Sequence, residues 1–355
     1  MTTSPDSDFH LNRPGALIAA LPAVLGFVPE QSLVLVTLDR GELGCVVRAD
    51  LAKVLGPDVE AELAHLAEVA ARGAPDAAIA VIVDELGTGC RMCNDDHRFL
   101  ADALTDALDG HGIELRDVHV VERIAAGARW HCADGCGRGG TVEDPSSSPV
   151  AAAAVLDGRR LYRRRSELQD VIAISDAGHT AALEAAILET MAARAGRPRD
   201  DAATREDVEA AMVVASAAAR GERPSDADAA RLACALRNPH VRDVLYALAV
   251  GSKAAQGESL WSTLARSLPS PWRADALVLL AFSAYARGDG PLAGISLDAA
   301  IDCDPTHEMA RMLDEALQRG MRPEQIRELG LSGFRVAARI GVSLPPRQPF
   351  DRRAG

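Results

Sequence analysis

Aromatic residues make up only 3% of the 355 positions, and lysine occurs twice, at Lys53 and Lys253. The first scarcity argues against a core held by large rings and leaves Leu, Val, Ile and Ala to fill it, which favours close-packed helices. The second removes the phosphate-binding P-loop, because neither lysine follows the required glycine spacing. No stretch reaches the ~20 apolar residues of a membrane span, and "MTTSPDSDFHLNRPG" lacks a charged segment followed by an apolar one. A cytoplasmic protein without a membrane partner is therefore expected. Basic charge is also in deficit: a net charge of -13 disfavours general nucleic-acid binding, which depends on phosphate neutralisation. H-E-x-x-H and G-x-S-x-G are both missing, so the common zinc-protease helix and the nucleophile elbow are excluded.

What the chain does have is apolar residues, at 48%, in a length too great for one ordinary core. The expected division is an α/β domain over 1–150, a helical domain over 151–335 and a disordered tail over 336–355. In the first part, Leu33 to Leu38 and Leu43 to Ala49 read as a hairpin around Asp-Arg-Gly-Glu. A helix from Asp58 to Arg72, the apolar strand "AAIAVIVDE", a helix from Asp95 to Leu108, a strand from Leu115 to Val121 and a short strand from Ala128 to Cys132 follow. The order β-β-α-β-α-β-β predicts a small mixed sheet with flanking helices, its core mostly parallel and edged by antiparallel strands. Gly135 to Ser148, rich in Gly, Ser and Pro, is expected to be irregular.

Hairpins reverse a strand and helical crossovers restore it, so strands two, three and four should point one way and share a C-terminal rim. Asp50, Asp84 and Glu122 end these strands, Arg48 and Ser32 border the same rim, and open α/β sheets usually bind ligands there. These five are the candidate ligand-binding residues. Ordinary turn and cap roles explain acids after strands equally well.

Seven cysteines without a secretory leader point to reduced thiols rather than a disulfide framework. Cys90 and Cys93 form C-x-x-C, and Cys132 and Cys136 form C-x-x-x-C. The predicted topology sets the two pairs about 20 Å apart, one strand length, which is too far for a four-cysteine zinc tetrahedron. Structural thiols, a local thiol pair, or a metal held with His131 or His97 are the alternatives. The expectation is that no metal or other cofactor is bound. G-x-G-x-x-G also occurs, at Gly135, Gly137 and Gly140, but loop-forming "TVEDPSSSP" follows it instead of the helix that a dinucleotide fingerprint needs.

From about Ser166 strand signals vanish and helix caps recur, among them Ser225, Asn238-Pro239, Ser270-Pro271 and Asp304-Pro305. An all-helical stack is the consequence. Within it, "ALVLLAFSAYARGDGPLAGISLDAAIDCDP" places Leu277, Leu280, Ala281, Ala293, Leu297, Ala300 and Pro305 at tetratricopeptide-like positions. Tyr285 and Arg287 in this hairpin are the candidate interaction-surface residues. Arg159, Arg160, Arg163, Arg164 and Arg165 crowd around Tyr162, as either a solvated linker or a patch for an anion or acidic partner.

Taken together, "LPAVLGFVPEQSLVLV", "VVRADL", "RWHCADGC", "AVLDGRRLYRRRSEL" and the helical segment resemble the bacterial domain-of-unknown-function family 4192, from about Leu11 to Leu331. The resemblance implies the two-part organisation and no activity. The leading expectation is a non-catalytic interaction or scaffold protein that offers its helical stack to a protein or peptide. The alternative is a metal-dependent hydrolase or small-ligand-binding protein that uses the acidic rim.

Overall fold

The computed structural model describes residues 13–40, 42–87, 91–156, 161–198, 200–319 and 321–348. They form two compact units, one of the described residues up to 167 with 318–319, the other of those in 168–317 and 321–348. In the first, strands β1 (Ser32–Asp39), β2 (Glu42–Asp50), β3 (Ala77–Val83), β4 (Glu114–Val121), β5 (Arg129–Cys132) and β6 (Gly139–Thr141) make one mixed sheet ordered β2-β1-β3-β4-β5-β6. Helices α1 (Pro14–Leu25), α2 (Leu51–Val54), α3 (Val59–Ala71), α4 (Arg91–Asp109), α5 (Pro149–Leu156) and α6 (Arg165–Gln169) complete the α/β part.

The expected strand directions hold, but a mostly parallel core does not. β1 lies between β2 and β3 and is antiparallel to both, so β3 and β4 are the one parallel pair. Composition explains the order. "SLVLVT" in β1 and "AAIAVIV" in β3 are buried along their length, as interior strands covered on both faces must be. One face packs Leu33, Leu35, Ala78, Ala80, Ile82 and Val120 against Leu63, Leu66 and Ala70 of α3 and Leu100 and Leu104 of α4.

Two elements depart from expectation. The apolar "PGALIAALPAVL" forms α1 despite Pro22 in its interior, and Gly15 lets it touch the sheet, since a Cβ there would sit 2.3 Å from the Thr141 carbonyl. Residues 139–141, expected to be irregular, pair with β5, and Asp144 then caps a short 3-10 turn at Pro145–Ser147. These pairings satisfy backbone groups that composition alone would leave to water.

The second unit is helical throughout: α7 (Ala177–Arg194), α8 (Asp201–Ala218), α9 (Asp226–Leu236), α10 (Pro239–Leu245), α11 (Ala254–Ser267), α12 (Trp272–Ala286), α13 (Gly290–Cys303), α14 (Glu308–Gln318) and α15 (Pro323–Ile340). Ser225 and Asn238 cap α9 and α10 as expected, and Asp200 caps α8. Nearly every residue of α12 is buried, so it is the axis around which α11, α13 and α15 pack. The expected tail is ordered as far as the description goes. α15 runs to Ile340, and the following segment bridges Arg347 to Gly251, with Ser252 and Gln348 donating to Pro346 and Val250 carbonyls. Among the described residues no helix is long and apolar enough to cross a membrane.

α15 reaches α10 through Gly333, where a Cβ would stand 2.4 Å from the Asp243 carbonyl and 2.9 Å from Ala247 Cβ. Helix propensity alone favours alanine over glycine by about 1 kcal/mol. Overpacking opposes it by about 1–3 kcal/mol, and the obstacle here is backbone, which yields least. Gly333→Ala is therefore expected to lower the melting temperature, and a thermal melt showing a rise would contradict the close approach.

Candidate functional site

At the rim, the Asp84 amide still donates to the Val121 carbonyl, at 2.9 Å, which keeps β3 in register with β4 one residue past its end. Strand alternation turns the Asp84 side chain to the face of Ile82, under α4. There Oδ2 lies 3.0 Å from His97 Nε2, and Oδ1 accepts from the Leu86 amide at 3.1 Å and from Gln31 Nε2 at 3.2 Å. Gly87 makes this possible: a Cβ at that position would fall 1.8 Å from Oδ2. Burial pushes the Asp84 carboxyl upward, but hydrogen bonds from Gln31, His97 and Leu86 and the adjacent imidazole together hold it below the ordinary carboxylate value.

His97 is 1% exposed, and its second ring nitrogen, Nδ1, has no hydrogen-bond partner. His131 stands opposite Val120 on the same face. Burial, and then the neighbouring His97, lower its pKa below the usual imidazole value. The buried Asp84–His97 pair was not foreseen, although its signal is present. A crossover helix begins shortly after β3, so residues in its first two turns stand over the strand's C-terminal end.

The other predicted rim residues separate from Asp84. Ser32 and Asp50 are strand partners, and they face the opposite side of the sheet from Leu33 and Ala49. Arg48 joins them, donating from Nε to Ser32 Oγ at 2.8 Å and pairing with Asp50 Oδ1 at 2.5 Å. Ser32 Oγ itself donates to the Glu30 carbonyl at 2.6 Å. These three close the end of the hairpin. Glu122 is exposed enough to pair with Arg123 at 3.2 Å. Asp50, Asp84 and Glu122 thus share an edge but form no three-donor group among the described residues. Asp84 instead directs both its oxygens to hydrogen bonds with His97, Leu86 and Gln31, away from Asp50 and Glu122.

The cysteine geometry also differs. β5 has four residues and ends midway along β4, with Cys132 opposite His119, so the pair does not lie a full strand length from the rim. Cys132 faces the side away from α4, the helix that carries Cys93, and Cys90 lies outside the described residues. Instead, Cys132, Asp134 and Cys136 each bring one donor atom within 4.8 Å of the others.

In the helical unit, Tyr285 is withdrawn from solvent and Arg287 is half-buried and held by ion pairs. Tyr285 is buried, and its hydroxyl donates to the Met321 carbonyl at 2.8 Å. Arg287 forks onto Glu258, with two contacts of 2.9 Å, and reaches Asp289 at 2.8 Å. Both follow from the burial of α12, which turns residues near its end inward. Of the arginine run, Arg163, Arg164 and Arg165 are exposed, while Arg159 and Arg160 lie outside the described residues.

No curated protein and no solved structure matches the chain. Residues 14–324, spanning both units, match one family, described as Domain of unknown function (DUF4192). The chain belongs to that family.

Proposed function

We propose that the α/β unit binds a small polar molecule at the C-terminal rim of β3 and β4, with His97 as the anchoring group and Glu122 and His131 at its border. One observation carries this reading: His97 is buried, yet Nδ1 is unpaired. Leaving a buried polar group unsatisfied costs about 1–3 kcal/mol, and native proteins rarely do so without a use for it. Because ionised Asp84 only accepts, His97 Nε2 must donate to it, which leaves Nδ1 as the ring atom that meets a polar group of the ligand. Histidines oriented by a carboxylate in this way serve as bases or ligand anchors.

The test is a thermal-shift panel of small polar metabolites, followed by imidazole nitrogen NMR on each hit. Ligands that raise the melting temperature should also move the His97 Nδ1 resonance. Hits that leave that resonance in place, or a panel without hits, would count against the reading. Protein interaction through the helical unit is the second reading. Its support is Leu188 and Met191, a turn apart on α7 and 52% and 44% exposed.

A further inference from the structure

We propose that the β5–β6 hairpin is a binding site for a thiophilic divalent cation, zinc above all, held by the thiolates of Cys132 and Cys136, a carboxylate oxygen of Asp134 and Nδ1 of His119. Cys132 and His119 lie on the face of the sheet away from His97, while the turn that follows Cys132 comes near Arg98 of α4 at Gly135, and the proposal is independent of the His97 reading. The donors are gathered by local structure. Gly135 and Gly137 adopt φ of 72° and 80°, a region open to glycine, and so fold residues 133–137 back on β5. The Gly135 amide donates to the Cys132 carbonyl at 3.4 Å, and the Cys132 amide donates to the Arg138 carbonyl at 3.1 Å. The Cys136 amide donates to Asp134 Oδ1 at 3.0 Å, which leaves the second carboxylate oxygen for a cation.

The spacing suits a metal. With Zn–S bonds of ~2.3 Å and Zn–O bonds of ~2.0–2.2 Å, a tetrahedron separates its donors by roughly 3.5–3.8 Å. The three hairpin donors already lie within 4.8 Å of one another, so closing on the ion needs side-chain adjustments of the order of 1 Å. The fourth donor comes from elsewhere in the chain. His119, 1% exposed on β4, holds Nδ1 3.9 Å from Cys132 Sγ but stands outside the 4.8 Å group of the hairpin donors, so it has further to move onto the ion than they do. An imidazole buried against a cysteine, rather than another exposed acid, is what separates this group from a chance cluster.

Charge and chemistry agree. Two thiolates and a carboxylate carry three negative charges, and a divalent cation leaves one. Arg138 is placed to offset it, with Nε donating to Cys136 Sγ at 3.4 Å and Nη2 bound to Asp117. Thiolate and imidazole donors select zinc over magnesium or calcium, which take oxygen. Cys136 and Asp134 are exposed, so an ion has access from solvent.

The experiment uses the full chain, reduced and stripped of metal, titrated with Co²⁺ and then with Zn²⁺. Thiolate-to-cobalt charge-transfer absorption should saturate at one equivalent and be displaced by zinc. Cys136→Ser, at an exposed position where folding is least at risk, should weaken binding at least about 10-fold, the loss that follows even from removing a partner that only orients a ligand. His119→Gln should weaken it while keeping the charge-transfer band, and Cys93→Ser should change nothing. Circular dichroism establishes that each variant is folded. Absence of the band in folded, reduced protein overturns the proposal, as does a persistent Cys132–Cys136 disulfide, or binding that survives Cys136→Ser or is lost on Cys93→Ser.

Discussion

Asp275→Ala is expected to destabilise the helical unit by about 3–5 kcal/mol, the range for removing one partner from a buried ionic network. Asp275 is 0% exposed in the first turn of α12, where a negative charge also favours the helix dipole. Its Oδ1 accepts from Arg242 Nη1 at 2.5 Å and from His307 Nε2 at 3.1 Å, and Oδ2 accepts from Arg237 Nη1 at 3.2 Å. The tautomer of His307 is fixed by its other nitrogen, because Nδ1 accepts the Ala310 amide at 3.2 Å and Nε2 must therefore carry the proton. Alanine would leave two guanidinium groups and an imidazole facing a vacancy. At roughly 2–4 °C per kcal/mol for a unit of this size, melting should fall by about 6–20 °C. Asp275→Asn keeps one acceptor and should fall between. A loss below about 1 kcal/mol for the alanine variant would mean that the network relaxes into water at little cost.

Asp275 also shows where reading the sequence stops. Its position on a helix, the caps of α9 and α10 and the apolar strands are set by neighbours within a few residues, and these were legible. Its partners Arg237, Arg242 and His307 are more than thirty residues away in either direction, and no local pattern brings them together. The sheet follows the same division. The hairpin and the strand directions come from connection rules, but the insertion of β1 between β2 and β3 is a tertiary choice. Its trace is compositional: β2, with Gly44 and Arg48, is less apolar than β1 or β3 and takes the edge. α1 escaped because Pro22 argues against a helix on local grounds, whereas burial of its apolar residues overrides that penalty. At the rim, the sequence placed Asp84 correctly but not its use. A list of acids at strand ends cannot tell a carboxylate facing α4 from one facing away, and that difference separates Asp84 from Asp50.

Asp84→Ala is the second large effect expected, about 2–3 kcal/mol at neutral pH, because an ionised acceptor that serves three donors is removed from a buried site. The effect should depend on pH with a definite sign. The native carboxyl titrates below its ordinary value, so the folded state holds the charged form more tightly than the unfolded chain does. That contribution is complete above the unfolded value, near 3.9, and is lost as pH falls through the lower native one. Urea unfolding of wild type and variant should therefore differ by a constant amount from neutrality down to about pH 5, and the gap should narrow progressively below about pH 4. His97 supplies an internal control. Its imidazole nitrogen spectrum should change in Asp84→Ala, because Nε2 loses its acceptor, while that of His307, whose partner is Asp275, should not. A gap that stays constant to pH 3, or an unaltered His97 spectrum, would show that the carboxylate does not bind His97 in solution and would remove the basis for placing a ligand at Nδ1.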